Sequence, residues 1–455
     1  MKRFILMIIG IIAGIPALYA QENDPTPKIP FAGIETNWQN GSDRRDSSIF
    51  SGKYFTPSVM VDVNYTHSFN YPNDHTVVGS TALARNDEIQ LSHLSIGGDL
   101  NYNNARARIM LQFGTRSQVV PRNDLSPFRG QYKLADVYRY LSETYVGYHF
   151  NVWYGINVDA GLFMSYIGLN SYYQVENWEY QASFTSDNTP WFFNGIRIQI
   201  YPSKYLKIEP WIINGWQSYG MFNKRPGVGA NITWNPSSRF KLLTNDYYGS
   251  DAGGIPTRNR FHSDNSMLVR YFNKPTSRGI SRMAFSLTGD IGFEKGGGVN
   301  AFKNSNDSLK GPAQYFLSGM FYNRIWFDRN KFAWTIGGGV MTNPGRYLVL
   351  LPTGQASPLP DPNNPTQTEG KYPFDTSPGT KFQGWDCSTN FDWMPNQSML
   401  FRLEYVHRHA NVPYFAGPGG VTSPDGYTTT PLPPTWRPDL VNSEDRVIVA
   451  LLFRL

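Results

Sequence analysis

Apolar and polar side chains alternate along much of the chain, so that every second residue faces the same way. The clearest run covers residues 154–164, where Ile156, Val158 and Leu162 fall on one face and Asn157 and Asp159 on the other. A period of two residues is typical of a β-strand with one apolar and one polar face. The same alternation predicts strands at residues 57–66, 94–102, 105–113, 196–200, 206–212 and 447–455.

The lengths of the connecting segments alternate as well. Short turns are expected near Asn103, Asn151, Ser203, Asn235, Lys274, Asp328 and Pro395. Long polar loops are expected at residues 71–86, 116–137, 165–191, 218–226, 249–262, 295–312, 343–380 and 411–443. This alternation of turns and loops implies about sixteen antiparallel strands, with both chain ends on the side of the short turns.

An even number of strands, with short turns at one end and long loops at the other, is characteristic of a transmembrane barrel of the bacterial outer membrane. Strands of about 10 to 13 residues suit a tilted crossing of the hydrocarbon core. A secreted β-sandwich or soluble barrel would also show alternation, but loops longer than about 15 residues argue against a compact soluble domain. We therefore predict an all-β, up-and-down barrel with short periplasmic turns and long extracellular loops.

The first residues have the features of a secretory signal peptide. Lys2 and Arg3 precede an apolar stretch at residues 4–15, and Ala20 suits the last position before cleavage. The apolar stretch is shorter than the about 20 residues that a spanning helix needs. This predicts export, with a signal peptide at residues 1–20, a polar periplasmic segment at 21–52 and the barrel at 53–455. The periplasmic segment is too short for the plug domain of an energised transporter.

Composition supports strands and restricts the chemistry. The chain has 12 Trp, 28 Tyr and 29 Phe with 42 Gly and 32 Pro, which favours strands and turns. It has 41 Lys and Arg against 35 Asp and Glu; without Lys2 and Arg3 the balance is 39 against 35, or +4. Such a balance gives no case for nucleic-acid binding. The single cysteine, Cys387, excludes an internal disulfide and a Cys-based zinc site, and no cofactor is expected.

Four stretches have a family-like wording: YFTPSVMVDVNYTHSFN at residues 54–70, VVGSTALARNDEIQLSHLSIGGD at 77–99, the segment at 165–220 that begins SYIGLNSYYQVENWEY, and RFHSDNSMLVRY at 260–271. They resemble the OmpL-like putative β-barrel porin-2 family of outer-membrane porins, which is common in Bacteroidetes. The resemblance extends over most of the chain and implies a porin-like function in the outer membrane of a Gram-negative bacterium, without naming a solute. The last residue, Leu455, departs from the terminal aromatic residue common in outer-membrane barrels.

The predicted inner face carries charges of both signs, which in a lumen bias ion selectivity. The alternative is that these charges pair across strands and only stabilise the wall. The predicted pore-lining residues are Arg106, Arg108, Glu143, Asp159, Arg197, Glu209, Arg282, Arg402 and Glu404.

The third long loop, residues 165–191, is the predicted constriction. A sixteen-stranded barrel is wide enough for an aqueous channel unless something narrows it, and the analogy with general porins places that loop inside. Glu176, Glu179 and Asp187 would then face the arginines at 106 and 108. The alternative is an external loop that packs on the rim.

These features predict a porin for passive diffusion of small hydrophilic solutes or ions. The expected partners are those solutes, outer-membrane lipid and lipopolysaccharide; trimers are common among sixteen-stranded porins, so a homotrimer is the oligomer to test. A scaffold or adhesin is the second hypothesis, because the Pro-rich loops at 351–378 and 416–438 suit surface exposure.

An enzyme is disfavoured, since the seven His form no recognisable triad motif and no G-x-S-x-G occurs. His407 and His409 supply too few ligands for a metal.

Overall fold

The computed structural model describes residues 28–124, 126, 131–303, 313–345, 347, 381–427 and 436–455. The predicted signal peptide, residues 21–27 and the Pro-rich loop at 351–378 lie outside these ranges. The described chain is dominated by strands, and its helices are three single-turn segments: α1 (Arg116–Val119), α2 (Leu134–Tyr138) and α3 (Phe184–Asp187). None of the described helices has the length and apolar character needed to cross a bilayer.

The strands follow the predicted alternation. Their bounds are β1 Phe55–Ser68, β2 Ile89–Tyr102, β3 Ala105–Phe113, β4 Leu141–Phe150, β5 Ile156–Met164, β6 Phe192–Ser203, β7 Leu206–Ile213, β8 Gly227–Ser237, β9 Phe240–Gly249, β10 Asn259–Asn273, β11 Ile280–Lys295, β12 Tyr315–Phe327, β13 Phe332–Asn343, β14 Phe382–Trp393, β15 Met399–Ala410, β16 Phe415–Ala416, β17 Leu440–Val441 and β18 Ser443–Arg454.

Sixteen of these strands form one closed antiparallel barrel. Strands β1 to β15 pair in chain order, β15 pairs with β18, and β18 closes the barrel against β1, from Met60↔Arg454 to Ser68↔Arg446. The two-residue strands β16 and β17 form a separate small sheet in the last long loop. The predicted strand number and topology are therefore confirmed, and closure leaves no unpaired edge strand.

The short turns have the backbone that tight hairpins require. Between β2 and β3, Asn103 and Asn104 have φ of 48° and 66°. Positive φ at both central residues is the type I′ geometry that matches the twist of antiparallel strands, and asparagine tolerates it better than most residues. The connection therefore needs only these two residues, as expected for a periplasmic turn.

The barrel is polar inside and apolar outside. Its outward face exposes large apolar side chains, such as Ile196, Leu287, Phe321, Leu403 and Val449. The inward positions that alternate with them carry buried polar side chains. This arrangement is the reverse of a soluble core and suits a wall between hydrocarbon and the lumen.

Two segments enter the lumen. The constriction loop (residues 165–191), which includes α3, is buried along most of its length. The N-terminal strap (residues 31–46) lies across the short-turn end of the barrel. The sequence interpretation placed residues 21–52 in a separate periplasmic segment; in the structure the described part at 31–46 packs into the barrel mouth, because its polar side chains bond to the turns.

Candidate functional site

The lumen is built around the constriction loop, which is fixed to the wall by carboxylates. The carboxylate of Glu404 on β15 accepts hydrogen bonds from the backbone N–H groups of Tyr180 and Gln181, at 2.6 and 2.7 Å. The carboxylate of Asp386 on β14 accepts from the Ser183 hydroxyl at 2.8 Å and the Phe184 N–H at 2.9 Å. A loop without regular secondary structure needs such partners because its backbone groups are removed from water.

Arginines hold the loop carbonyls. Arg402 donates to the carbonyl of Asn177 at 2.8 Å, and Arg324 donates to that of Trp178 at 3.1 Å. Both guanidinium groups also pair with Asp392, each at 2.7 Å. One buried carboxylate therefore orients two arginines toward the loop.

The three predicted acids of the loop contact a different wall from the one expected. Glu176 pairs with Arg454, and Asp187 pairs with Arg408 at 3.2 Å. Glu179 accepts from Asn170 and from Asn40 of the strap, the latter at 3.3 Å. None of these partners is Arg106 or Arg108. The loop crosses to β14, β15 and β18, because the groups that bind its backbone lie there.

Burial raises the pKa of two of these acids. It raises the pKa of Glu179, although Asn170, Arg402 and Asn40 favour the ionised form. Burial also raises the pKa of Asp187 despite the nearby Arg408 and the hydrogen bonds from Thr81. Both carboxyl groups therefore hold a proton more readily when the loop is docked than when it is in water.

The predicted charges of β3 to β7 face the lumen and pair with each other. Arg106 and Arg197 share Asp159, at 3.3 and 3.0 Å. Arg108 bridges Asp99 and Glu143, both at 2.7 Å. Glu209 accepts from Lys207 at 3.2 Å and from Gln199 at 2.7 Å. The side chains of Arg106 and Lys207 keep 21% and 19% of their surface exposed, so water reaches this wall.

An aromatic layer lies beside these charges, where the constriction loop meets the wall. The guanidinium of Arg197 lies 4.5 Å from the ring centre of Tyr145 and 4.7 Å from that of Phe163. Tyr166 of the constriction loop stacks on Trp211 at 4.9 Å. The wall supplies most of this layer and the loop completes it, so movement of the loop would open it.

The N-terminal strap crosses the periplasmic mouth from one turn to another. The N–H of Phe31 donates to the Lys204 carbonyl in the β6–β7 turn at 3.0 Å, and the side chain of Arg44 donates to the Asn396 carbonyl in the β14–β15 turn at 3.1 Å. Between them, Glu35 pairs with the buried Arg270 and with the predicted pore-lining Arg282.

The strap also binds the tip of the constriction loop. The indole N–H of Trp178 donates to the Trp38 carbonyl, and its backbone N–H donates to the Asn40 side chain, both at 3.0 Å. The N–H of Gly41 donates to the Glu176 carbonyl at 3.2 Å. Gly41 has φ of +72°, and a Cβ there would lie 2.0 Å from the Leu169 carbonyl oxygen, so only glycine fits.

At the outer end, the first long loop covers the constriction loop. The Thr81 hydroxyl donates to Asp187 at 2.8 Å. Arg408 donates to the carbonyl of Gly79, and Arg446 donates to that of Val78. The strap, the constriction loop and this outer loop are thus connected by hydrogen bonds through the barrel.

The sequence analysis named only part of this site. Arg402 and Glu404 were among the predicted residues, but Arg324, Asp386, Asp392, Arg408 and Arg446 were not. The alternation of inward and outward positions along their strands would have predicted that these five side chains face the lumen. Their partners could not be found in this way, because those partners belong to loops that have no period.

The predicted histidine pair lies on the outward face in the second half of β15, with His407 beside Cys387 of β14. His407 bonds to Asp445 at 2.8 Å, and His409 bonds to Ser443 at 2.7 Å. Within the described ranges, no cluster of three or more His, Cys, Asp or Glu side chains is arranged to hold a metal ion.

Comparison with known proteins gives one family and a set of similar barrels. Residues 54–430 match the family model "Putative beta-barrel porin-2, OmpL-like". The outer membrane channel DcaP of Acinetobacter baumannii is 9% identical, with a TM-score of 0.50 over 89% of this chain and 99% of that one. OprB of Pseudomonas putida is 11% identical, with a TM-score of 0.47 over 89% and 94%. An anion-selective porin from Comamonas acidovorans is 10% identical, with a TM-score of 0.45 over 88% and 99%. A search of curated proteins finds no significant match.

Proposed function

The chain belongs to the Putative beta-barrel porin-2, OmpL-like family, and from this premise we propose that its barrel conducts small hydrophilic solutes and ions passively. The family match and the sixteen-stranded barrel confirm the sequence predictions of an outer-membrane location and a porin function. The proposal concerns the path of the solutes through the barrel and the control of that path by the constriction loop. We propose no catalytic activity for this barrel.

The proposed route follows the inner wall of β3 to β7. The observation that carries it is the partial exposure of Arg106 and Lys207, since the wall of β14, β15 and β18 is covered by the constriction loop. Arg106, Arg108, Glu143, Asp159, Arg197 and Glu209 line this route. Tyr166 closes it where the loop meets Trp211. We therefore propose that the described conformation is the closed one and that conduction requires displacement of the loop.

The test is single-channel recording in planar bilayers. Deletion of residues 172–183 from the folded barrel removes the loop tip and should raise the conductance several-fold, because the pore widens. Unchanged conductance would reject the constricting role of the loop. Replacement of Arg106 by Glu should move the reversal potential in a salt gradient toward cation preference, whereas the exposed Arg225→Glu in an outer loop should not.

The second candidate is a scaffold or adhesin whose loops bind partners. The observation that favours it is the closure of the lumen by both the loop and the strap. The two functions differ in ion flux. A scaffold would show none in the wild type or in the loop deletion, whereas a gated porin would show rare openings in the wild type and frequent ones in the deletion.

We also propose that lipid and lipopolysaccharide contact the outward face and that three copies associate in the membrane. The exposed apolar side chains of that face support lipid contact. Chemical cross-linking of the protein in outer-membrane vesicles tests the oligomer: a ladder that ends at three copies supports the trimer, and monomer alone rejects it.

A further inference from the structure

Arg116 is a buried arginine without an acidic partner. It begins α1, directly after β3, and is 1% exposed. The other fully buried arginines of the described ranges all pair with a carboxylate: Arg260, Arg270, Arg282, Arg324, Arg402, Arg408 and Arg446. Among the residues that the structure describes, no carboxylate forms an ion pair with Arg116. A buried guanidinium without a counter-charge is costly, so the exception needs a physical reason.

The unused atoms of Arg116 form a suitable edge for an oxyanion. Its Nε and Nη2 are both buried and lack a hydrogen-bond acceptor. These two N–H groups point the same way, along the edge of the guanidinium that binds carboxylate or phosphate through two parallel hydrogen bonds. The edge is complete, and no described oxygen occupies it.

Aromatic rings of the constriction loop cover this guanidinium. Its central carbon lies 4.1 Å from the ring centre of Tyr172 and 5.4 Å from that of Trp191. Such contacts stabilise a cation by about 0.5–2 kcal/mol. The Tyr172 hydroxyl is also a hydrogen-bond partner of Arg116, whereas Nε and Nη2 have no acceptor. When the loop moves, both rings move with it and the edge becomes accessible.

The surroundings add a second unused polar atom, and the nearby acid, Asp62, forms no ion pair with Arg116. His93 on β2 packs on Tyr172 with ring centres 5.5 Å apart, and its Nε2 is buried without a partner. The carboxylate whose field reaches Arg116, that of Asp62, accepts a hydrogen bond from the Tyr180 hydroxyl at 2.8 Å. Arg116 and His93 therefore flank the same ring, each with unused capacity.

We propose that Arg116, assisted by His93, is an oxyanion-binding site of the lumen, which the constriction loop covers in the closed state. Its ligand is the carboxylate or phosphate group of a permeating solute, bound side-on by Nε and Nη2. The inference rests on the proposed function, because the solute reaches the site from within the channel. It adds a substrate class, small organic or inorganic oxyanions, and a competition between solute and loop for the same guanidinium.

The experiment measures current through the full-length protein in planar bilayers. Inorganic phosphate and succinate, each at constant ionic strength in chloride, are the two probes. Both should interrupt the wild-type current in a saturable way. Arg116→Gln should raise the half-effective concentration about tenfold or more, because a charge-assisted pair is lost. Arg116→Lys, which keeps the charge without the two-pronged edge, should fall between. Arg225→Gln, in an exposed outer loop, is the matched control and should behave as wild type.

Each outcome of these recordings supports or rejects the proposed oxyanion site. If neither probe interrupts the wild-type current, or if Arg116→Gln responds as wild type, the site is rejected while the porin function stands. If no variant carries current in any buffer, the porin function itself fails. Should Arg116→Gln not fold, Tyr172→Ala keeps the arginine and removes its cover. It should respond at lower probe concentrations than wild type, and an unchanged response would overturn the proposal.

Discussion

At the scale of single residues, Glu404 is the strongest link between the constriction loop and the wall. Its carboxylate accepts hydrogen bonds from two backbone N–H groups, and all three residues are buried. In Glu404→Ala both donors stay buried without an acceptor, at about 1–3 kcal/mol each. The closed state should lose stability, and the open probability in single-channel records should rise at least about tenfold. Glu88→Ala on the outer rim is the control, and equal open probabilities in the two variants would contradict this role.

Glu179 makes the closed state sensitive to pH. Burial raises its pKa above the ordinary value of 4.5 when the loop is docked. The carboxyl group of the docked loop therefore holds its proton at a pH at which the carboxyl group of a released loop has lost it. Docking is favoured at low pH and weakens as the pH rises from the ordinary pKa of Glu179 through its raised pKa. The open probability should increase over that interval. The increase should be smaller in Glu179→Gln, which cannot titrate; an identical pH profile in both would exclude Glu179 as the titrating group.

At the scale of elements, the strap and the loop act as one closure. Glu35 is the only carboxylate described next to both Arg270 and Arg282, so Glu35→Ala leaves two buried guanidinium groups unpaired. Loss of a fully buried pair costs about 3–5 kcal/mol, and less is expected here because Glu35 is partly exposed. The strap should detach more often, and trypsin should cleave after Arg44 and Arg45 about tenfold faster. Ser51→Ala, outside the strap, should leave the rate unchanged.

The strap and the loop also show how far sequence reasoning reaches. Alternation gave strand number, topology and the inward direction of Arg402 and Glu404, because a strand repeats every two residues. The analogy with general porins placed Glu176 and Glu179 on a loop that enters the lumen, but it predicted that they face the arginines of β3. Their actual partners, Arg454 and Asn40, are 278 and 139 residues away in the chain. Such pairings form only when the whole barrel closes, so a local sequence pattern cannot predict them. The polar segment at residues 21–52 was predicted without partners, because the groups that bind residues 31–46 lie in turns far away in the chain.

At the scale of the whole molecule, the mature barrel is held by strand pairing around a polar interior. The interior combines ion pairs with clusters of buried aromatic and apolar side chains. Cation and carboxylate partners come from distant strands and loops, as with Arg408 of β15, which bonds to Asp187 of the loop and to Gly79 of the outer loop. Movement of the constriction loop therefore affects both mouths of the channel, and the three segments should open together.

The lone thiol tests which face of this wall meets lipid. Cys387 lies midway along β14, between Gly338 of β13 and His407 of β15, and it points outward. A bimane label on Cys387 should be quenched by lipids with brominated acyl chains, because the label would lie in the hydrocarbon. The control is Gln199→Cys in a Cys387→Ser background, since Gln199 faces the lumen beside Glu209. Its label should keep its fluorescence in brominated lipid. Quenching of the Gln199→Cys label alone would mean that the lipid-facing and lumen-facing sides of the wall have been exchanged. The assignment of the lumen and of its contacts would then be wrong.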